Sequence, residues 1–201
     1  MDWPDDSFEA PLWGQGLRVA GVDEVGRGPL AGPVVACAVV LTEGQVPLGL
    51  NDSKKMTARR RAALYDAIHE QAEVSVGVAS VDEIDSLNIL KASLLAMRRA
   101  VEGLPQPPGH ALVDGKFIPE ELRCVATPIV KGDGRSVSIA AASIVAKEWR
   151  DRLMRDLAQQ HPGYGWETNA GYGSKSHIEA LLNLGVTPHH RRSFKPVYQM
   201  L

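Results

Sequence analysis

Residues 20–41 read AGVDEVGRGPLAGPVVACAVVL, and the fold turns on this stretch. Val34–Leu41 is a continuous, β-branched apolar run, the pattern of a strand covered on both faces. Ahead of it, the short apolar run Leu17–Val22 is broken by Gly26 and Gly28. Those glycines, with Gly32, could be misread as a dinucleotide-binding fingerprint. That fingerprint needs G-x-G-x-x-G between a strand and a helix. Here the third glycine comes one place late, Pro29 and Pro33 intervene, and a β-branched run follows instead of a helix.

Outward from this stretch, Thr57–Ala72 has helical periodicity, with Ala62, Leu64, Tyr65 and Ile68 on or near one face. Val74–Ala79 alternates like a third strand. Ser80 followed by Glu83 is a capping box opening a helical stretch, which Leu87–Val101 continues to Gly103. Ala111–Val113 reads as a short strand ending at Asp114, and Arg123–Val130 as another. Ser136–Gln160 predicts a long helix, starting nearer Ile139. His161–Lys175 reads as an irregular loop, and Ser176–Leu184 as a short helix closed by Gly185. The order predicts an α/β fold, a mixed sheet with a helical C-terminal portion.

The chain has 201 residues, 44% hydrophobic and 23% charged, which suits one globular domain spanning residues 1–201. A chain of this length buries roughly 70% of its unfolded surface and needs no disulfide or structural metal. Cys37 lies inside an apolar run and Cys124 beside Val125, so both read as core residues in a reducing, cytoplasmic setting. The opening MDWPDDSFEA is acidic and lacks the apolar region of a signal peptide, and no apolar run predicts a membrane span. Net charge is −2, but its distribution is uneven. Residues 1–134 carry 13 Lys+Arg against 19 Asp+Glu, and residues 135–201 carry 9 against 5. A basic segment beside an acidic one suits a polyanion held by the first and cut by carboxylates of the second, although ordinary scatter of surface charge gives the same count.

The acidic candidates share a local pattern. Asp23–Glu24 in AGVDEVGRGP, Asp114 in ALVDGK and Asp133 in PIVKGDG each follow or end a strand-like run beside glycine or a turn. Carboxylates at strand ends can converge on one edge of a sheet and supply the oxygen-rich cluster that hard divalent cations need. Two such ions ~3.5–4 Å apart can clamp the attacking and leaving oxygens of phosphodiester hydrolysis. Taken singly, each aspartate is equally a turn residue satisfying backbone donors. Adjacent strand residues point to opposite faces, so Asp23 and Glu24 can share one site only if the chain bends near Gly26–Gly28.

GVDEVGRGPLAGPVVACAVVL (21–41) closely resembles the opening of bacterial ribonuclease HII, the type 2 ribonuclease H family, which usually reads DEAGRGPLAGPV. The likeness recurs in order at NDSKK (51–55), LVDGK (112–116), VKGD (130–133), AAASIVAKEWRDRLM (140–154), HPGYGWETNAGYGSKSH (161–177) and HRRSF (190–194). Val25 replaces the common Ala, at no cost in catalytic groups. The resemblance implies a ribonuclease H-like fold, a five-stranded mixed sheet flanked by helices with a helical C-terminal extension. The core would span about residues 15–160 and the extension about 161–201. It implies cleavage of the RNA strand of RNA–DNA hybrids, and 5′ to ribonucleotides embedded in duplex DNA. It carries the metal-binding carboxylates onto Asp23, Glu24, Asp114 and Asp133, with Mg²⁺ or Mn²⁺ as cofactor. It makes Gly26-Arg27-Gly28 and Tyr172 the reader of the RNA–DNA junction. These assignments fit the chemistry, since free amides can bond a 2′-hydroxyl and a tyrosine can stack on a sugar or base.

Other polar residues are candidate phosphate contacts: Lys54 in the 51–56 loop, Ser143 and Lys147 on one helix face, and Lys175 and His177 in the basic end. Asp151 reads as an ion-pair partner of Lys147 or Arg155 rather than a fifth ligand. His189–His190 lacks the further ligands of a zinc site. A non-catalytic hybrid-binding module would keep the basic segment and Tyr172 but would not require four carboxylates. A junction resolvase or a type 1 ribonuclease H would lack the GRG and GYGSKSH segments. The working partner expected is an RNA–DNA hybrid or ribonucleotide-containing duplex, met by a monomer with no membrane association.

Overall fold

The computed structural model describes residues 3–201; Met1 and Asp2 of the acidic opening lie outside it. Val34–Val40 (β2) is buried at every position, as its unbroken apolar run requires. It lies between Val19–Val25 (β1) and Glu73–Ala79 (β3), antiparallel to both. His110–Asp114 (β4) pairs parallel to β1, and Val125–Ile129 (β5) pairs parallel to β4. The five-stranded mixed sheet therefore has the order β3-β2-β1-β4-β5. It is the ribonuclease H-like fold that the resemblance implied.

Helices cover both faces. After the single turn Ala10–Trp13 (α1), Ala58–Gln71 (α2) follows β2, with the Thr57 hydroxyl accepting from Arg60 N–H. Val81–Leu87 (α3) begins at Ser80, where both halves of the capping box form. The continuous helix expected beyond Leu87 is broken. Asn88 adopts φ 77° and caps a new helix, Ile89–Glu102 (α4), its side chain accepting from Leu90 and Lys91 N–H. Asparagine tolerates the left-handed region because its short amide can bond nearby backbone. α4 packs on one face of the sheet, over Ala20, Val22, Ala36 and Val113.

Val137–Gln160 (α5) packs on the other face, over Val19, Cys37, Val39 and Leu112. It starts at Val137 with Ser136 as its cap, earlier than the Ile139 start expected, because two acceptors secure that end. Ser136 Oγ accepts from Ile139 N–H, and the buried Glu9 carboxylate accepts from Ser138 N–H at 3.0 Å. A negative group there also complements the helix dipole. The last turns of α5 carry the C-terminal portion, Trp166–Asn169 (α6), Lys175–Leu184 (α7) and the turn Val197–Met200. Trp166, Tyr164, Leu181 and Val197 form a third cluster there with Met154, Leu157 and Leu30. Residues 161–175, expected to be wholly irregular, thus contain α6. No helix among the described residues is long and apolar enough to cross a membrane.

The approach of α5 to the sheet depends on Gly21. A Cβ there would lie 2.1 Å from the Ser138 carbonyl carbon and 2.4 Å from Ile139 N, both backbone atoms that cannot swing aside. Gly21→Ala should therefore lift α5 off β1 and destabilise the fold by about 2–3 kcal/mol or more. Thermal melting checks this, and a shift of under a degree would show that the helix accommodates a methyl.

Candidate active site

β1 stays paired with β2 through Asp23, Glu24 and Val25, whereas its pairing with β4 stops at Val22 opposite Val113. Asp114, the last residue of β4, is followed by Gly115 at φ 97°, whose N–H bonds the Ile129 carbonyl. β1 thus runs on past the end of its neighbour. The chain bends at Gly26–Gly28, as expected, with Gly26 at φ 90°, but only after the strand has carried both Asp23 and Glu24. The two side chains leave opposite faces and meet where β4 has ended. One carboxylate oxygen from each of Asp23, Glu24 and Asp114 lies within 4.8 Å of the others. Asp133 stands outside this tight group, on the turn Gly132–Gly134 between β5 and α5. That turn is tied to the group by Gly132 N–H, which donates to Asp114 Oδ1 at 2.6 Å.

Crowding and burial both act on these groups. The Asp23 pKa is pushed well above the ordinary carboxylate value by burial first, then by the charges of Glu24 and Asp114, with a Ser143 hydrogen bond opposing. Glu24 is raised by burial, partly offset by Arg27, whose guanidinium lies 3.3 Å from its Oε1. Asp114 is raised by burial and by the charge of Asp133. For Lys54, burial favours the neutral amine, but the charges of Asp133, Asp23, Asp52 and Asp114 outweigh it and leave the pKa raised. Glu24 Oε2 is buried without a hydrogen-bond partner. An all-oxygen donor set with an orphaned carboxylate oxygen fits a hard divalent cation.

The remaining candidates sort by exposure. Gly28 and the Tyr172 ring are in contact, for a Cβ at Gly28 would lie 3.3 Å from Tyr172 Cε1. Tyr172 itself is 47% exposed. Lys175 reaches into solvent, only loosely paired with Glu179 at 3.9 Å. Lys147 is held by Asp151 at 2.7 Å, with Arg61 as that carboxylate's second partner in place of the expected Arg155.

Two assignments need correction. Ser143 is buried, hydrogen-bonded to Ser53 Oγ at 2.9 Å and close enough to Asp23 to lower its pKa, so it faces a carboxylate instead of a phosphate. His177 is fully buried. Its Nδ1 lies 2.9 Å from the Tyr172 carbonyl, and its Nε2 accepts from Trp166 Nε1–H at 3.0 Å. It therefore holds the Tyr172 backbone and cannot touch a phosphate. Sequence reasoning missed Arg150 and Arg191 altogether. Arg191 lay in the HRRSF segment, but nothing local marks an arginine as buried.

The raised carboxylates have a consequence for stability. Without metal, the folded chain holds protons on Asp23, Glu24 and Asp114 at pH values where the unfolded chain has released them. Their contribution is most favourable below the ordinary carboxylate pKa and is lost as pH rises through the raised folded values. Asp23→Asn should therefore raise the melting temperature of metal-free protein at neutral pH, by roughly 2–4 °C per kcal/mol of relieved repulsion. The gain should shrink as pH falls. A variant that melts lower than wild type at neutral pH would contradict this.

The comparisons with known proteins agree with the geometry. The family model for Ribonuclease HII matches residues 20–197. A Ribonuclease HII of Ruegeria pomeroyi is 67% identical over 100% of this chain and 86% of its own. The ribonuclease H2 of Pyrococcus horikoshii superposes with a TM-score of 0.77 at 27% identity, covering 91% of this chain and 96% of that one. Bst-RNase HIII, solved in complex with Mn²⁺, superposes with a TM-score of 0.76 over 92% of this chain and 69% of its own. At 21% identity that last likeness speaks for the fold alone. With the family matched across nearly the whole chain, the chain belongs to the ribonuclease HII family.

Proposed function

We propose that this chain is an endonuclease that hydrolyses the RNA strand of RNA–DNA hybrids. On this reading it also cuts 5′ to ribonucleotides embedded in duplex DNA, leaving 3′-hydroxyl and 5′-phosphate ends. The convergence of Asp23, Glu24 and Asp114 carries the reading, with Asp133 near enough to raise the pKa of Asp114. These four carboxylates would hold two divalent ions, Mg²⁺ or Mn²⁺. When bound, such ions activate water for in-line attack and stabilise charge on the departing 3′-oxygen.

The chain's own groups then have distinct tasks. Ser143 and Glu24 N–H orient the Asp23 carboxylate, the latter at 2.7 Å, and Gly132 N–H orients Asp114. Lys54 lies in the field of the carboxylates, and it would steady them and the incoming phosphate. The Gly26–Gly28 backbone would bond the 2′-hydroxyl, and the exposed Tyr172 ring would pack on the next, deoxy, sugar. Lys175 and the neighbouring basic groups would neutralise phosphates. The core of about residues 15–160 would supply the chemistry and the extension of about 161–201 the grip on the duplex. On this reading the working unit is a monomer. Free Cys37 and Cys124 suit a reducing cytoplasm, where the enzyme would serve ribonucleotide removal, replication and repair.

The test is cleavage of three matched duplexes, all-DNA, one with a single ribonucleotide, and a long RNA–DNA hybrid, in Mg²⁺ and then Mn²⁺. Cuts are expected 5′ to the single ribonucleotide and along the hybrid, with the all-DNA duplex intact. Asp114→Asn should lose cleavage by orders of magnitude and keep duplex binding. Comparable cutting of all-DNA duplex, or near wild-type turnover by the variant, would sink the proposal.

A further inference from the structure

Two arginines of this fold are buried without any carboxylate within ion-pair distance among the described residues. Arg191 donates from Nε to the Gly32 carbonyl at 2.9 Å, from Nη1 to that of Arg27 at 3.0 Å, and from Nη2 to that of Gly26 at 2.5 Å. Arg150 donates to the carbonyls of Pro33, Ala170 and Ala31 at 2.9–3.0 Å. Burying a cation with no carboxylate partner is costly even where, as for Arg191, an aromatic ring lies under the guanidinium (Phe194, 5.1 Å), and apolar side chains would fill the same space at lower cost. Burial lowers the Arg191 pKa to about 9, with the charge of Arg150 adding to it. Filling space therefore does not account for these side chains.

The peptide bond supplies the reason. It is planar and trans, so its C=O and N–H point in opposite directions. Arg191 holds the Gly26 carbonyl inward, which turns the Arg27 N–H outward. It holds the Arg27 carbonyl inward, which turns the Gly28 N–H outward. Neither N–H has a hydrogen-bond partner among the described residues, and Arg27 and Gly28 are exposed beside the Tyr172 ring. The same arginine's own N–H donates to the Leu30 carbonyl at 2.8 Å, fixing its backbone to the far side of the loop.

We propose that Arg191 is a positioning residue for ribose recognition, whose buried guanidinium aims the Arg27 and Gly28 N–H groups at the 2′-hydroxyl of the ribonucleotide. This rests on the functional reading above. Arg191→Lys keeps the charge but loses the planar fork that grips two carbonyls at once. Ile68→Val is the stability control, a fully buried residue of α2 in the core cluster on the α5 face of the sheet, away from the cluster that carries Leu30 and Ala31.

The experiment measures affinity by fluorescence anisotropy, with Ca²⁺ in place of the catalytic ion, for a single-ribonucleotide duplex and its all-DNA twin. The wild-type preference for the ribonucleotide should fall by about tenfold or more in Arg191→Lys. Its affinity for the all-DNA duplex should stay unchanged. Ile68→Val should melt lower yet keep its preference. If Arg191→Lys keeps the preference, or loses affinity for both duplexes alike, the proposal is overturned. Should that variant not fold, amide exchange in wild type decides. The Arg27 and Gly28 amides should exchange freely alone and be protected by the ribonucleotide duplex more than by its twin, and protection without substrate would refute the geometry. Wild-type cleavage separates the two layers. If wild type neither cuts nor prefers the ribonucleotide duplex, the functional reading has failed. If it does both while Arg191→Lys matches it, only the role of Arg191 has failed.

Discussion

Three buried or half-buried carboxylates held within 4.8 Å of one another repel, and a fourth nearby adds to the repulsion. At an effective dielectric near ~20, each close pair of charges costs on the order of a few kcal/mol. Nothing local in the strand would hold them together, so the frame must. β1 is fastened to β2 from Ala20 to its end at Val25, and β4 ends one residue past its last pairing with β1. α5 lies against Gly21 closely enough to bring Ser143 to Asp23. Gly132 keeps its turn open for Ile139 and Asp114, since a Cβ there would lie 2.6 Å from Ile139 Cδ1. The site is thus a stressed arrangement imposed by a rigid sheet, and a divalent cation is the chemical group that relieves it.

The C-terminal portion is bound to the site by a separate set of contacts. Leu30 N–H bonds the Gly171 carbonyl and Gly32 N–H the His189 carbonyl, both at 2.8 Å. Thr187 N–H donates to His190 Nδ1 at 3.0 Å, which leaves His190 Nε2 as the donor to His177 Nε2 at 3.1 Å. His177 then donates from Nδ1 to the Tyr172 carbonyl. This assignment of protons follows from the partners, and it requires both rings to be neutral. Burial favours that state, lowering the His190 pKa to about 4 and His177 in the same direction. Loop 26–33 and the Tyr172 segment are therefore one unit, braced from below by Arg150, Arg191 and the two histidines.

Much of this was legible in the sequence where a signal is local. The apolar run of β2, the Ser80–Glu83 capping box and the strand-end carboxylates each carry their own pattern. The break at Asn88 was not legible, because Ile84 and Ile89 on either side preserve an apolar pattern that reads as one helix. The meeting of Asp23 with Glu24 depends on where β4 stops, which is a property of another strand. Ser143 and His177 looked like surface groups of a basic segment, and nothing local singled out Arg191 within HRRSF. Each proves buried because of what packs over it, information that lies far away in the chain.

The central claim is that these carboxylates form a divalent metal site that works with the nucleic acid in place. The most direct measurement is a calorimetric Mn²⁺ titration in the presence of a single-ribonucleotide duplex that keeps its 2′-hydroxyl and is made uncleavable by a methylene in place of the leaving 3′-oxygen. Wild type should take up two ions per chain, and Asp114→Asn should lose at least one of them or bind far more weakly. Mn²⁺ uptake indifferent to replacement of Asp23 and Asp114 would contradict the claim.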